Sequence, residues 1–427
     1  MRAARRLPAV LHERDFRVFF LGQAVSDFGD KLVPVALAFA VLELGGSASQ
    51  IGLVFASETL ALVACLLVGG VVADRTSRRA VMVGADLARL ASQGALAALL
   101  IAGTAEIWTI ALLAGVTGAA TGFFQPASTG LVPTIVAPED LQQANGLRAT
   151  AMATGEIAGP LAAGVLVATA GPGWALGIDA ATFAVSAAFL ARLRLPPRIP
   201  REALSFFEEL REGWSAFRSR TWVWAFVASA AIGNMLWGAW SVLGPVVADR
   251  DLGGAAAWGS ILAAIGVGGL AGAVLAIRTS PRRPMVVAIG SASVFALPLG
   301  LLALRAPAPL VALAAVGSGT SMMLGNTVWE STLQRHIPAA SLSRVSAYDW
   351  FGSLAFRPVG MAIWGPISVA IGISASLWVA LVLFLVTSLP LLTVRDIREL
   401  PPAPAEPLAY ASPTSSAGTS PQSVSSR

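Results

Sequence analysis

Lysine is almost missing from this chain: Lys31 is the only one in 427 residues. It is preceded by Asp30 and followed by Leu32, so no phosphate-cradling loop of the G-x-x-x-x-G-K-[ST] kind exists. An ATP-driven pump on this polypeptide has no foothold. Cys65 stands alone and has no partner for an internal disulfide, while His12 and His336 are too far apart for metal-ligand spacing. No metal site and no cofactor are expected, and neither is an enzyme. Charge is scarce as well: 12% of the residues carry one, against roughly 25% in a soluble domain.

What fills the chain is apolar. Hydrophobic residues make up 56%, in long runs with no soluble insertion longer than about 30 residues between them. That is the composition of a multi-pass membrane protein with the lipid bilayer as its main partner. A net charge of +5 would ordinarily suggest nucleic acid. Here the arginines sit in short loops between apolar runs, the pattern that retains loops on the cytoplasmic face.

At about 20 apolar residues per crossing, six spans fit the first half, near 16–42, 51–73, 80–102, 107–127, 147–170 and 173–193. Six more fit the second, near 221–247, 256–277, 285–304, 308–330, 345–371 and 373–394. The predicted fold is all-α, twelve transmembrane helices in two six-helix bundles, 16–193 and 221–394. A cytoplasmic segment 1–15 precedes them and a linker 194–220 joins them. Arginines before the first span, after the second and in the linker share one side with Arg278, Arg282, Arg283, Arg335, Arg344, Arg395 and Arg398. The opposite loops hold little beyond Arg250 and Arg305, so both termini are expected in the cytoplasm, with the protein in the cell membrane. In the linker, Leu204, Phe206, Phe207, Leu210, Trp214 and Phe217 recur at helical spacing opposite charged residues, the pattern of an interfacial helix. The tail 395–427 turns rich in Pro, Ser, Ala and Thr and predicts disorder.

A charged loop, Asp74-Arg75-Thr76-Ser77-Arg78-Arg79, recurs as Arg278-Thr279-Ser280-Pro281-Arg282-Arg283, and each copy is followed by a similar apolar run. Two related halves follow from that echo. The loop with Gly70 before it resembles the signature between helices two and three of the major facilitator superfamily, with Ser77 where a second glycine is usual. The segment Gly155-Glu156-Ile157-Ala158-Gly159-Pro160 to Gly164 resembles the glycine-proline signature of that superfamily's exporters. Further stretches are similar to one branch, the macrolide-efflux and enterobactin-exporter proteins: Phe16-Arg17, Gly22-Gln23, Asp86 to Arg89, Pro126-Ala127 and Asp179 to Phe183. The resemblance spans roughly residues 11–395. It implies alternating access around a central cavity, a small-molecule substrate and coupling to protons. One departure stands out: Gly115, Gly118 and Gly122 of the fourth span have no arginine among them, although many drug/proton antiporters place one there.

Charges inside spans are the remaining candidates, because a lone one costs about 2.5–3.5 kcal/mol at mid-membrane on insertion scales. Asp27 and Lys31 stand four apart on one face of the first span with Asp30 beside them. A mutual pair or a wet cavity is required. Glu156 and Arg357 are further pathway candidates, whereas Glu58 and Asp179, reckoned nearer the outer surface, rank lower. A shift of 201 residues maps Gly159 and Gly164 onto Gly360 and Gly365, Arg148 onto Asp349 and Glu156 onto Arg357. The glycines with Pro160 read as hinge or close-packing positions. Asp349 is a candidate partner of Arg75 or Arg79 in a conformational gate with Gly70, Asp74, Arg78, Asp86 and Arg89; two solvated surface charges are the alternative. Trp237 with Trp240 and Asn234 offers aromatic faces to an amphiphilic cargo, or core packing. Trp108, Trp174, Trp222, Trp224 and Trp258, near span ends, read as interface anchors. The function expected is secondary active export of a small amphiphilic molecule. Rival readings are a non-transporting scaffold or sensor of the same fold, and a nutrient importer.

Overall fold

The computed structural model describes residues 9–194, 214–215, 217–279, 281–337 and 339–400. Most of the interfacial helix and most of the disordered tail expected above lie outside the described residues; of the helix's apolar residues, Trp214 and Phe217 are described, and their rings stack at 5.7 Å. The first half comprises α1 (Arg14–Asp30), α2 (Val33–Glu43), α3 (Ala48–Arg75), α4 (Arg78–Ile101), α5 (Ile107–Ile135), α6 (Leu141–Ala170) and α7 (Pro172–Ala191). The second comprises α8 (Thr221–Val247), α9 (Ala255–Arg278), α10 (Pro284–Phe295), α11 (Leu297–Ala303), α12 (Ala308–His336), α13 (Ala339–Leu354), α14 (Arg357–Ile371) and α15 (Ile373–Ser388).

Among the described residues, ten helices are long and apolar enough to cross a membrane. Of the twelve spans expected, the two outside that set are the first, α1 with α2, and the third, α4. They carry Asp27, Asp30 and Lys31, and Asp86 and Arg89. The helices that look least like membrane spans are those that hold the charged site.

Proline sets the breaks. Pro34 has no N–H for the carbonyl of Asp30, four residues back, so the first span interrupts at Lys31 and Leu32. Pro358 stands in the same relation to Leu354 and separates α13 from α14. The signature loop needs no glycine at Ser77, whose φ is −72° and whose hydroxyl caps α4 by accepting from the Ala80 amide at 3.4 Å.

The two halves repeat their pairings. In the first, α3 packs on α5 and α4 on α7; in the second, α9 packs on α12 and α11 on α15. Between halves the main contacts are α6 with α9 and α3 with α14. Both are glycine-mediated. A Cβ at Gly259 would strike the Pro160 carbonyl and approach the Gly164 Cα at 2.9 Å; one at Gly365 would strike Ser49, and one at Gly52 the Met361 carbonyl. Backbones touch directly there, the close approach that small residues permit. Proline adds to it at Pro160, which leaves the Glu156 carbonyl without its helical donor, and that oxygen abuts Gly266.

These contacts lie toward the end opposite the Gly70–Arg79 loop. At the loop end Arg78 donates to the Gly130 carbonyl and Arg79 to the Leu193 carbonyl at 2.7 Å, both within the first half. The outer faces are apolar, with Ile277, Val369 and Leu313 mostly exposed. Trp108, Trp174 and Trp224 are exposed as anchors would be, but Trp222 and Trp258 are buried in the second-half core and do not serve that role.

Candidate functional site

The break in the first span faces the other helices of its own half. Lys31 Nζ lies 2.6 Å from Glu156 Oε1 on α6. The expected i, i+4 pair with Asp27 does not form, because α1 ends at Asp30 and the helical geometry that would align the two is lost. Asp27 has Lys31 and Arg148 as attracting charges beyond contact distance. Glycine sets the fit: a Cβ at Gly159 would overlap the Lys31 Cβ, and one at Gly155 would meet the Lys31 Cγ at 3.7 Å. The Gly155–Gly164 segment therefore seats the first span on one side and α9 of the other half on the other.

The Lys31 and Glu156 side chains are 30% and 50% exposed. A pair so solvated contributes at most about 1 kcal/mol to stability. Fold maintenance does not account for it.

Arg89 occupies the opposite regime. Its side chain is 3% exposed; it donates to Asp86, itself fully buried, and stands 4.0 Å from Asp30 Oδ2. Phe124 and Phe183 flank the guanidinium at 4.2 and 4.3 Å. Asp86 and Arg89 were expected with the gate; the structure places them inside the bundle. Arg89 is eleven residues beyond Arg78, so it stands about 16 Å along α4 from the loop. Asp30 itself is 42% exposed, so its carboxylate borders open space beside the break.

Arg357, at the break before α14, acts electrostatically on Glu58 of α3 across the interface between halves. Its symmetry counterpart Glu156 thus pairs within its own half, whereas the acid that attracts Arg357 belongs to the other half. Asp349 does not meet Arg75 or Arg79. It accepts from Trp329 Nε1 at 3.0 Å inside the second half, while Arg75 is exposed and Arg79 turns to Leu193. The Asp74 side chain lies outside the described residues, and a Cβ added at Gly70 would stand 4.0 Å from the Pro126 side chain.

On the second-half side, Trp237 stacks on Phe295 at 4.3 Å and on Trp240 at 5.4 Å, and Trp240 contacts Trp258 at 4.8 Å. Trp237 is half-buried, whereas Trp240 is fully buried with an unpartnered Nε1. Asn234 donates to the Ala230 carbonyl at 3.0 Å. Gly360 packs on the Met235 backbone.

Sequence reasoning underrated Asp179. Counted from the span end it falls near the surface, yet it is fully buried beside Gly29 and under the field of Asp30. A lone acid in an apolar run was the available signal.

A first half that carries acids and bases among its helices, joined to a second half by glycine contacts, is a transporter's architecture. The model of the Major Facilitator Superfamily matches residues 19–352. The chain belongs to the major facilitator superfamily. It is 30% identical to the enterobactin exporter of Shigella boydii serotype 18 over 91% of this chain and 94% of that protein. The enterobactin exporter of Escherichia coli strain K12 is 29% identical over the same shares. Among solved structures it resembles a bacterial homologue of the lysosomal transporter Spinster, in an inward-facing and unoccupied conformation (TM-score 0.72, 14% identity, 92% of this chain and 98% of that one). It also resembles the nucleoside transporter NupG (TM-score 0.69, 15% identity, 89% and 98%). This superfamily member is a multi-pass membrane protein with relatives that export, and its partners are a small-molecule substrate and the bilayer.

Proposed function

We propose that the chain exports a small amphiphilic molecule from the cell by alternating access, with protons returning through Asp30. The exposed charges at the break in the first span carry this reading: Asp30, Lys31 and Glu156 are accessible, yet they stand within spans where uncompensated charge is costly. A polar end of the cargo would meet Lys31 and Glu156, and its apolar part the Trp237 face. The names of the enterobactin exporters support the direction. Under this reading the first span and α4 complete twelve spans, the bundles are 16–193 and 221–394, and both termini with the Gly70–Arg79 loop are cytoplasmic. Arg75, Arg78 and Arg79 then tune the opening at that loop.

The test is a growth-inhibition panel of diverse amphiphilic compounds in cells with and without the protein, each repeated with a protonophore. Expression should raise resistance to a subset, and both the protonophore and Asp30→Asn should remove it. Resistance that survives Asp30→Asn removes Asp30 from coupling and makes Glu156 the next acid to test; sensitivity raised by expression would favour uptake.

A further inference from the structure

We propose that Asp179 is the proton-holding group behind Asp30, a buried carboxyl that exchanges its proton with the cavity by way of Asp30. This rests on the proton-coupled reading above and assigns the site. Asp179 is fully buried, and neither carboxylate oxygen has a hydrogen-bond partner. Two side chains with donors stand beside it, and neither meets the hydrogen-bond geometry to it. The Thr182 hydroxyl donates to the Asp179 backbone carbonyl at 2.7 Å, and Gln93 of α4 approaches the carboxylate without completing a hydrogen bond. Arg89 is committed to Asp86 and leans toward Asp30.

An ionised carboxylate left this way is far costlier than a neutral one, and a neutral one is a stored proton. The charges that act on it are Asp30 of α1 first, then Arg89 of α4 and Glu58 of α3. From α6, packed on the same helix, Arg148 acts on Asp27 and Glu156 pairs with Lys31. Gly29 makes the approach possible: a Cβ there would stand 2.7 Å from Asp179 Oδ1, so any other residue would wall Asp179 off from the first span. In the step proposed, the O–H proton of Asp179 leaves as Asp30 accepts it on its carboxylate, and Asp30 passes it to cavity water. No co-reactant is consumed.

Infrared spectroscopy of the purified full-length protein in detergent reads this without any cargo. Wild type should show the C=O stretch of a protonated carboxyl at neutral pH, lost in Asp179→Asn and shifted in Asp179→Glu. On transfer to D2O that band should exchange at least tenfold more slowly in Asp30→Asn. A band that persists unchanged in Asp179→Asn overturns the assignment. Should that variant fail to fold, an unshifted band in Asp179→Glu overturns it equally. Exchange unaltered by Asp30→Asn overturns the route. Loss of export in the growth panel does not move these readouts, so failure of the export reading and failure of this one are separable.

Discussion

Replacing Arg89 with leucine tests whether the interior ion pair is structural. The guanidinium is 3% exposed and its partner Asp86 is fully buried, so Arg89→Leu strands a carboxylate inside the first-half bundle. Breaking a buried pair from one side costs about 3–5 kcal/mol. At 1.4 kcal/mol per factor of ten, the folded population relative to the unfolded one falls about a hundred- to a few-thousand-fold. Asp30 adds little, since at 42% exposed it can hydrate once Arg89 is gone. Leucine still packs between Phe124 and Phe183, so most of the loss is the stranded charge rather than a void. The double variant Asp86→Leu with Arg89→Leu removes both charges and should recover most of the stability, because an apolar replacement of a buried pair is often neutral. Heating a fluorescent-protein fusion in detergent and following the monodisperse fraction by size-exclusion chromatography measures both. A single variant as stable as wild type, or a double variant no better than the single, refutes the reasoning.

Lys31→Met should behave in the opposite way. The Lys31–Glu156 pair is solvated, so melting should change by no more than about 1 kcal/mol equivalent while compound resistance is lost; a large fall in melting temperature would make the pair structural. Gly259→Leu should force α6 and α9 apart, because its Cβ has no room against Pro160 and Gly164. Spin labels at Gly45 and Arg250, in a Cys65→Ala background, should then report a longer-distance population by pulsed dipolar spectroscopy; an unchanged distribution would show that this contact does not hold the closed end.

The sequence by itself determined the class of molecule, and the reason is the solvent. Lipid demands about 20 apolar residues per helix and leaves no backbone unpaired, so the helical class and most of the span positions can be read one window at a time. Scarcity helped as well: with 12% charge, each acid or base inside a span is conspicuous, and Asp30, Lys31 and Glu156 stood out before any neighbour was known. The repeated arginine loop likewise disclosed the duplication that the paired packing of α3 on α5 and α9 on α12 displays. Partnership was a different matter. Lys31 and Glu156 are 125 residues apart, and their meeting depends on Pro34 breaking one helix and Gly159 admitting it to another. Helical periodicity instead offered Asp27, because it presumes an unbroken helix. Asp349 is held by Trp329 of its own half rather than by the loop arginines, a contact that the meeting of α12 and α13 decides. Asp179, ranked low on the sequence, rose only in three dimensions, since burial and the lack of a donor belong to the neighbours, α1 and α4, that tertiary packing brings around it.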